Sequence, residues 1–572
     1  MDTQRLIALI VFSASGFFLW EAWQKHNHPI APPVSATAAP GAVGRNGVPS
    51  APAVPVPSVS TATSAVPGSV PAASIASAPS TGKRISVITD KLNVELDTQG
   101  GDIHSVTLLK HTARGDKTKP FSLMQEKASA YFVTQSGLLG DALPNHTSNW
   151  VLAGEKSDVK SGDKFDLGSS DKLEVTFINN DVPNVVASKT YTFKRDSYVV
   201  DVRYDIKNDS ATALNPTAYF QFVRDANPPE GESSGSNPFT GISTFTGPAV
   251  YTEAKKFQKI AFSDIDKGKA DYPKEANDGW VAMVQHYFVS AWLPAANTKR
   301  ENFTTKWEKL YTAGIKVPMG TIAAGATASL DMPLYIGPQE QENLKILAPG
   351  LDLVVDYGWL HILAYPMFLV LSWIHNIVGN WGWTIIIFTI LIKLVFFPLN
   401  QKAGKSMAHM KQMAPKIEAM KARYGDDKLK MNQAMMQMYK TEKINPLGGC
   451  LPILIQMPFF IALYWVLLSA VELRNAPWIG WITDLSTPDP FWVLPILMGA
   501  SMFIQTKLQP APPDPVQAKV MMIMPLVFSV MFFFFPAGLV LYWTMQNILT
   551  IIQQWYINKT IGAPIAAKPA KR

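Results

Sequence analysis

The chain has 572 residues, a formal net charge of +7 and 47% hydrophobic residues. That length accommodates several domains, and a single cysteine, Cys450, excludes a disulfide framework and any multi-cysteine zinc or iron–sulfur site. The hydrophobic fraction is ordinary for a soluble protein, but it is unevenly spread, so the order of segments carries the information.

Leu6–Trp20 is a continuous apolar run. Trp20, Glu21, Trp23, Gln24 and Lys25 follow it where a cleavage site would need small residues, so residues 1–28 read as an uncleaved transmembrane anchor. Residues 29–83 are rich in Pro, Ala, Ser and Val and cannot bury a core; they read as a flexible linker. From 84 to 347 the pattern turns to strands. Leu92–Leu96 alternates apolar with polar and runs into Gly100-Gly101, a turn; Lys189–Phe193 and Val200–Ile206 alternate in the same way. These are half-buried antiparallel strands of one large β-sandwich.

Beyond 350, Gly382–Leu399, Cys450–Val471, Phe491–Gln505, Val520–Phe535 and Gly538–Ile557 are apolar and roughly of spanning length. Tyr357–Val378 is also apolar but contains His361 and His375, and fits either a span or a helix lying in the interface. Charge bias separates the two. Residues 401–443 carry ten Lys/Arg against four Asp/Glu, the tail 559–572 carries four basic residues and no acid, and Glu472–Pro490 carries one basic and three acidic residues. The positive-inside rule puts 401–443 and the tail in the cytoplasm and 472–490 outside. Only one crossing then fits between 350 and 401. Residues 348–380 become an outer interface helix, 381–558 a five-helix core, and both termini are cytoplasmic.

No Gly-rich phosphate loop, HExxH or GxSxG motif is present, and the nine histidines lack ligand spacing. Neither catalytic residues, metal nor cofactor is therefore expected. The sharpest feature is Lys393, inside the apolar run Thr384–Leu399. A lysine there either faces a wet cavity or snorkels to the cytoplasmic end. Thr389, at i−4, shares its helix face. Gln505, Tyr542, Trp543, Gln546 and Asn547 add polar groups from other predicted spans and would complete an intramembrane groove. Segment 401–443 is methionine-rich; Met407, Met410, Met413, Lys416, Lys421 and Arg423 are its candidate recruiting residues. Pro415 and the Gly425 region divide it into two amphipathic helices forming a hairpin, whose methionines adapt to varied apolar partners while its basic face meets anionic lipid or ribosomal RNA. Met457-Pro-Phe-Phe460 and Met531–Phe535 mark greasy spans that either pack against lipid or let another helix slide past.

The motifs Asn380-Trp-Gly-Trp-Thr-Ile-Ile-Ile, Asn445-Pro-Leu-Gly-Gly-Cys-Leu-Pro, Gln456-Met-Pro, Val471-Glu-Leu-Arg, Leu494-Pro-Ile-Leu-Met-Gly and Phe535-Pro-Ala-Gly-Leu-Val-Leu-Tyr together resemble the YidC family of membrane-protein insertases, in its Gram-negative form, with relatives in mitochondrial and chloroplast membranes. The resemblance covers essentially the whole chain. It implies an α-helical polytopic membrane protein of six transmembrane helices, with a five-helix insertase core and a large periplasmic all-β supersandwich domain similar to sugar-mutarotase folds. It implies a bacterial inner-membrane location, and a groove open to cytoplasm and lipid that inserts and helps fold nascent membrane proteins. The ribosome, the Sec translocon with its accessory subunits, and anionic lipids are the implied partners; DNA is not. The family usually has Arg in the groove where this chain has Lys393, which keeps the charge but loses the planar fork. Thr389 and Trp543 fall at substrate-contacting positions, and Met457, Phe460, Met498 and Met531 along the implied sliding surface. The rival readings are a transporter or channel with a periplasmic ligand-binding domain, and a membrane-anchored carbohydrate enzyme.

Overall fold

The computed structural model describes residues 70, 82–113, 116–127, 129–140, 143–154, 160–229, 245–424, 427–442, 451–509 and 515–561. The expected anchor, most of the linker, the Gly425 turn and the basic tail lie outside the described residues.

Residues 84–338 form two facing sheets, of ten and nine strands among the described residues. The expected strands are present at Leu92–Asp97, Val185–Lys194 and Val199–Asn208. The last two pair antiparallel, with Val200 opposite Phe193 and Tyr204 opposite Lys189. Period-two alternation sends Val185, Ala187, Tyr191 and Phe193 inward, and it sends Lys189 with them. Lys189 is fully buried; its ammonium donates to Asp102 Oδ1 at 2.6 Å and to the Gly100 carbonyl at 3.1 Å. A buried cation persists only when paired in this way. Gly100 and Gly101 make the predicted turn at φ 77° and 61°. A Cβ on Gly100 would sit 2.5 Å from Asp102 Oδ2 and 2.6 Å from the His146 carbonyl, so glycine is required there.

Eleven α-helices, among the described residues, complete the chain. Short α1 (Phe262–Asp266) and α2 (Gln341–Leu347) belong to the sandwich. The helical region comprises α3 (His361–Val378), α4 (Trp381–Val395), α5 (Phe397–Gln412), α6 (Ala414–Tyr424), α7 (Lys428–Thr441), α8 (Leu451–Ser469), α9 (Val493–Leu508), α10 (Pro515–Met531) and α11 (Ala537–Ile561). Gly379 ends α3 in the left-handed conformation, and the Asn380 side chain caps α4 by accepting from the Trp383 N–H at 3.2 Å. The predicted span to Leu399 is interrupted. Helix α4 stops at Val395, and α5 starts with Pro398 in its first turn, bent by 69° from α4. Proline has no N–H to continue α4 but fits the start of a new helix. The predicted two-helix segment 401–443 accordingly becomes three pieces: the greater part of α5, then α6 and α7, which pack on each other. The break at Met413 falls beside Pro415, as its sequence position suggests.

By length and composition, Gly358–Val378 is the one continuous described helix apolar enough to cross a membrane, and the bent pair α4–α5 makes a second if taken as one span. Helices α8, α9 and α10 contain shorter apolar stretches. Helix α11 has the length, at 25 residues, but interrupts its apolar run with glutamines, asparagines and threonines. It packs against α4, α5, α8 and α9, and α9 packs against α10.

The sandwich is fastened to the segment 470–490. The Arg474 guanidinium lies 4.9 Å from the Phe121 ring and 5.1 Å from that of Phe288, and it donates to the Thr112 carbonyl at 2.7 Å. Asn475 Nδ2 donates to Thr112 Oγ1, and Lys117 to the Thr483 carbonyl, both at 3.0 Å. The same segment anchors the helices: Asn380 Nδ2 donates to the Pro477 carbonyl, and the Ala537 and Gly538 N–H groups donate to Thr487 and Leu485.

Two sandwich histidines are held neutral. Burial first, then the Lys189 charge, lowers His146 to about 4. Burial first, then Arg474 and Lys91, lowers His111 to about 4. The unfolded imidazole titrates near ~6.5. Their stabilising effect is therefore complete above that pH and lost as pH falls from ~6.5 towards 4, because the unfolded chain takes up protons first. The unfolding temperature of the sandwich should drop between pH 7 and 5, and His146→Gln should flatten that drop. An equal drop in the variant contradicts the burial of a neutral His146.

Candidate functional site

Between α4, α5, α8, α9, α10 and α11 lies a cavity of about 380 Å³. Its one charged lining residue, among the described residues, is Lys393. The neutral lining is rich in amides: Asn400 on α5, Gln456 on α8, Gln505 on α9, and Gln546, Asn547, Gln553 and Gln554 on α11. Met407, Met457, Met502, Met521 and Met524 make the apolar part. No carboxylate is among these lining residues.

Each feature follows from helix geometry. Lys393 sits in the last turn of α4, just before the bend, so its side chain enters where α5 turns away. That bend brings Asn400, Ala403, Gly404 and Met407 around the same space. On α11, Trp543, Gln546, Asn547, Thr550, Gln553 and Gln554 recur at three- and four-residue steps and share one face. Lys393 is only 9% exposed, so it points inward and does not snorkel out. Its ammonium donates to Thr550 Oγ1 at 2.8 Å, and that hydroxyl donates to the Gln546 carbonyl at 2.7 Å. Asn547 Nδ2 donates to Ser501 Oγ at 3.0 Å, tying α11 to α9.

Towards the Ala537 end of α11 the lining turns aromatic. Phe460 meets Trp543 edge-on at 4.5 Å between ring centroids, and Phe532 lies 5.4 Å from Trp543 and 4.9 Å from Phe535. This is the end held by segment 470–490.

The predicted groove residues Lys393, Gln505, Tyr542, Trp543, Gln546 and Asn547 all line the cavity. Thr389 does not: it is fully buried, and its hydroxyl donates to the Ile385 carbonyl at 2.6 Å. Sharing a face with Lys393 did not suffice, because a threonine hydroxyl reaches only its own helix while lysine reaches past its neighbours. Of the predicted sliding residues, Met457 and Phe460 line the cavity, Met531 is half-buried and Met498 is fully buried. Of the predicted hairpin residues, Met407 lines the cavity, Met410 is half-buried and Met413 is buried at 3%. Lys416 pairs with Glu442 at 2.7 Å and Arg423 is exposed; the Lys421 side chain lies outside the described residues. Sequence reasoning missed Asn400, Thr550, Gln553 and Gln554. The last three continue the stripe begun by Trp543 and Gln546, and extending that stripe by two turns would have found them.

A β-sandwich joined to a bundle of apolar helices around a polar cavity is the architecture of a membrane protein with a large β domain. Residues 84–370 match the YidC periplasmic domain, and residues 373–563 match the 60Kd inner membrane protein family. A membrane protein insertase YidC of Aromatoleum aromaticum is 50% identical over 572 residues, all of both chains, and one of Dechloromonas aromatica is 48% identical over 98% of both. The chain belongs to the YidC family of membrane protein insertases. A crystal structure of an active YidC insertase aligns at a TM-score of 0.40 and 18% identity, covering 83% of this chain and 92% of that one. A galactose mutarotase related enzyme from Lactobacillus acidophilus aligns at 0.29 and 9% identity over 44% of this chain. The transporter reading finds no support among the relatives, which carry the insertase name.

The cavity depends on close packing of α9 and α10. A Cβ on Gly499 would lie 2.7 Å from both Cβ and Oγ of Ser529. Gly499→Val should force the helices apart and lower the thermal stability of the detergent-solubilised protein by ~1–3 kcal/mol. Unchanged stability contradicts the close approach.

Proposed function

We propose that this chain inserts nascent inner-membrane proteins by giving their polar tails a wet, positively charged path through the inner half of the bilayer. One observation carries this reading: an inward-pointing ammonium, Lys393, in a polar cavity with no carboxylate among the described lining residues. Its only hydrogen-bond partner among the described residues is the neutral Thr550 hydroxyl. An ion held this way attracts an acidic group on an arriving chain.

The proposed topology has six spans, the first being residues 6–23, with both termini cytoplasmic and the sandwich outside. Helix α3 lies at the outer interface. It buries Ala364, Met367, Phe368, Leu371 and Ile374 against the bundle and exposes Ile362, Trp373 and Ile377, a face suited to lipid. Helices α6 and α7 hold the basic cytoplasmic surface that meets the ribosome and anionic lipids, and the Sec translocon delivers part of the substrate load. A substrate segment leaves the cavity along α8 and α10, whose exposed Leu454, Met457, Met522, Ile523 and Leu526 resemble lipid to an apolar helix.

No nucleotide hydrolysis enters this mechanism. Each central Leu, Ile, Phe or Val of a substrate contributes roughly 0.3–0.6 kcal/mol on entering the bilayer. About twenty of them outweigh the transfer of one polar tail residue across a thinned, wet layer. The protein lowers the barrier, and partitioning supplies the drive.

In proteoliposomes holding only this protein, Lys393→Ala should slow insertion of a short acidic-tailed membrane protein by ~10-fold, the worth of a charge-assisted hydrogen bond. Lys393→Arg should retain most of the rate. Protease protection of the translocated tail is the readout, and equal rates for the two variants contradict a role for the charge.

A further inference from the structure

Lys393 leaves half of a peptide's chemistry unanswered. An ammonium only donates, so it can meet carbonyls and carboxylates but never an N–H. A tail crossing at membrane depth brings one N–H and one C=O per residue. Both are costly to leave unpaired in hydrocarbon, which is why irregular backbone occurs there only against protein or water.

The cavity holds side chains with the missing complement. Gln546 Oε1 is an acceptor of the kind Lys393 lacks, and Gln553 Nε2 and Asn400 Nδ2 are further donors; all three atoms are buried and have no hydrogen-bond partner among the described residues. All three line the cavity. A primary amide carries an acceptor and two donors, the same pair of functions as a peptide group. Gln546 and Gln553 are seven residues apart on α11, which sets them about 10 Å apart along the helix. That distance equals roughly three residues of extended chain. Thr550 lies between them and holds the Lys393 ammonium at 2.8 Å, so charge and amides face the same strip of space.

We propose that Gln546, Gln553 and Asn400 form a backbone-pairing surface that binds a short extended segment of the substrate's tail through its peptide N–H and C=O groups. The proposal rests on the insertase reading and deepens it. The arriving backbone supplies the partners that these amide atoms lack. Recognition of this kind is blind to side chains. Lys393 then adds preference for acidic tails on top of a general affinity for polypeptide.

The test uses the full chain in proteoliposomes and a synthetic single-span substrate with an uncharged Gly/Ser tail. A second substrate N-methylates every tail residue, with sarcosine for glycine and N-methylserine for serine, which keeps the carbonyls and removes the N–H donors. Rates are read by protease protection after subtracting empty liposomes. The wild type should insert the sarcosine tail about 3- to 10-fold more slowly, the worth of one or two neutral hydrogen bonds. The Gln546→Met/Gln553→Met variant should insert the glycine tail at a similarly reduced rate and be indifferent to N-methylation. Lys393→Gln should keep the full sarcosine effect, because that effect involves no charge. Equal wild-type rates for both tails overturn the proposal, and that result needs no variant to fold. So does a double variant that still distinguishes the tails. If the wild type inserts neither tail above empty liposomes but does insert an acidic tail, backbone pairing fails and the charge-based reading stands. If it inserts none of the three, the insertase reading fails and this proposal with it.

Discussion

Hydrocarbon offers a polar group no partner, and the arrangement of the helical region follows from that constraint. A lysine ammonium near the end of α4 that does not snorkel out needs other helices to enclose it with polar atoms or water. Helix α11 meets the requirement with a stripe of amides and hydroxyls along one face, and Thr550 is the residue that touches the ammonium. The stripe makes α11 too polar for a lipid-surrounded helix, so it sits at the centre, against four neighbours. The bend at Pro398 completes the enclosure by swinging α5 across the lysine.

The two ends of the cavity are built differently. At the Ala537 end, Phe460, Phe532, Phe535 and Trp543 interlock, and the segment 470–490 ties α4 and α11 together above them. That segment is also where the β-sandwich is attached, through Arg474, Asn475 and Lys117. The sandwich thus braces the segment that holds the aromatic end together. At the other end the lining is amide and methionine, without a comparable aromatic layer among the described residues. On the proposed topology the braced end faces the periplasm and the amide end faces the cytoplasm.

Much of this was legible in the sequence, for identifiable reasons. Strands such as Val199–Asn208 were readable because alternation is a local signal, and the inward place of Lys189 follows from the same alternation that places Tyr191 and Phe193. Lys393 stood out because a charge in an apolar run is rare. The reach of a side chain was not legible. Thr389 shares the face of Lys393 yet bonds its own helix, and Met498, set on the sliding surface by the family resemblance, is enclosed by neighbours. The break of α4 at Val395 was signalled by Pro398, but composition alone ran the span on to Leu399. Asn400 could not be found, because it reaches the cavity only through the tertiary bend that follows Lys393.

On the proposed topology the amide end of the cavity is wet and open to the cytoplasm while the aromatic end is sealed. The most direct measurement replaces Cys450 with serine, places a single cysteine at Gln553, and applies a membrane-impermeant maleimide to inside-out and right-side-out membrane vesicles. Rapid labelling is expected in inside-out vesicles, where the cytoplasmic face is exposed, and protection in right-side-out ones. Labelling from the periplasmic face, or protection from both faces, would contradict it.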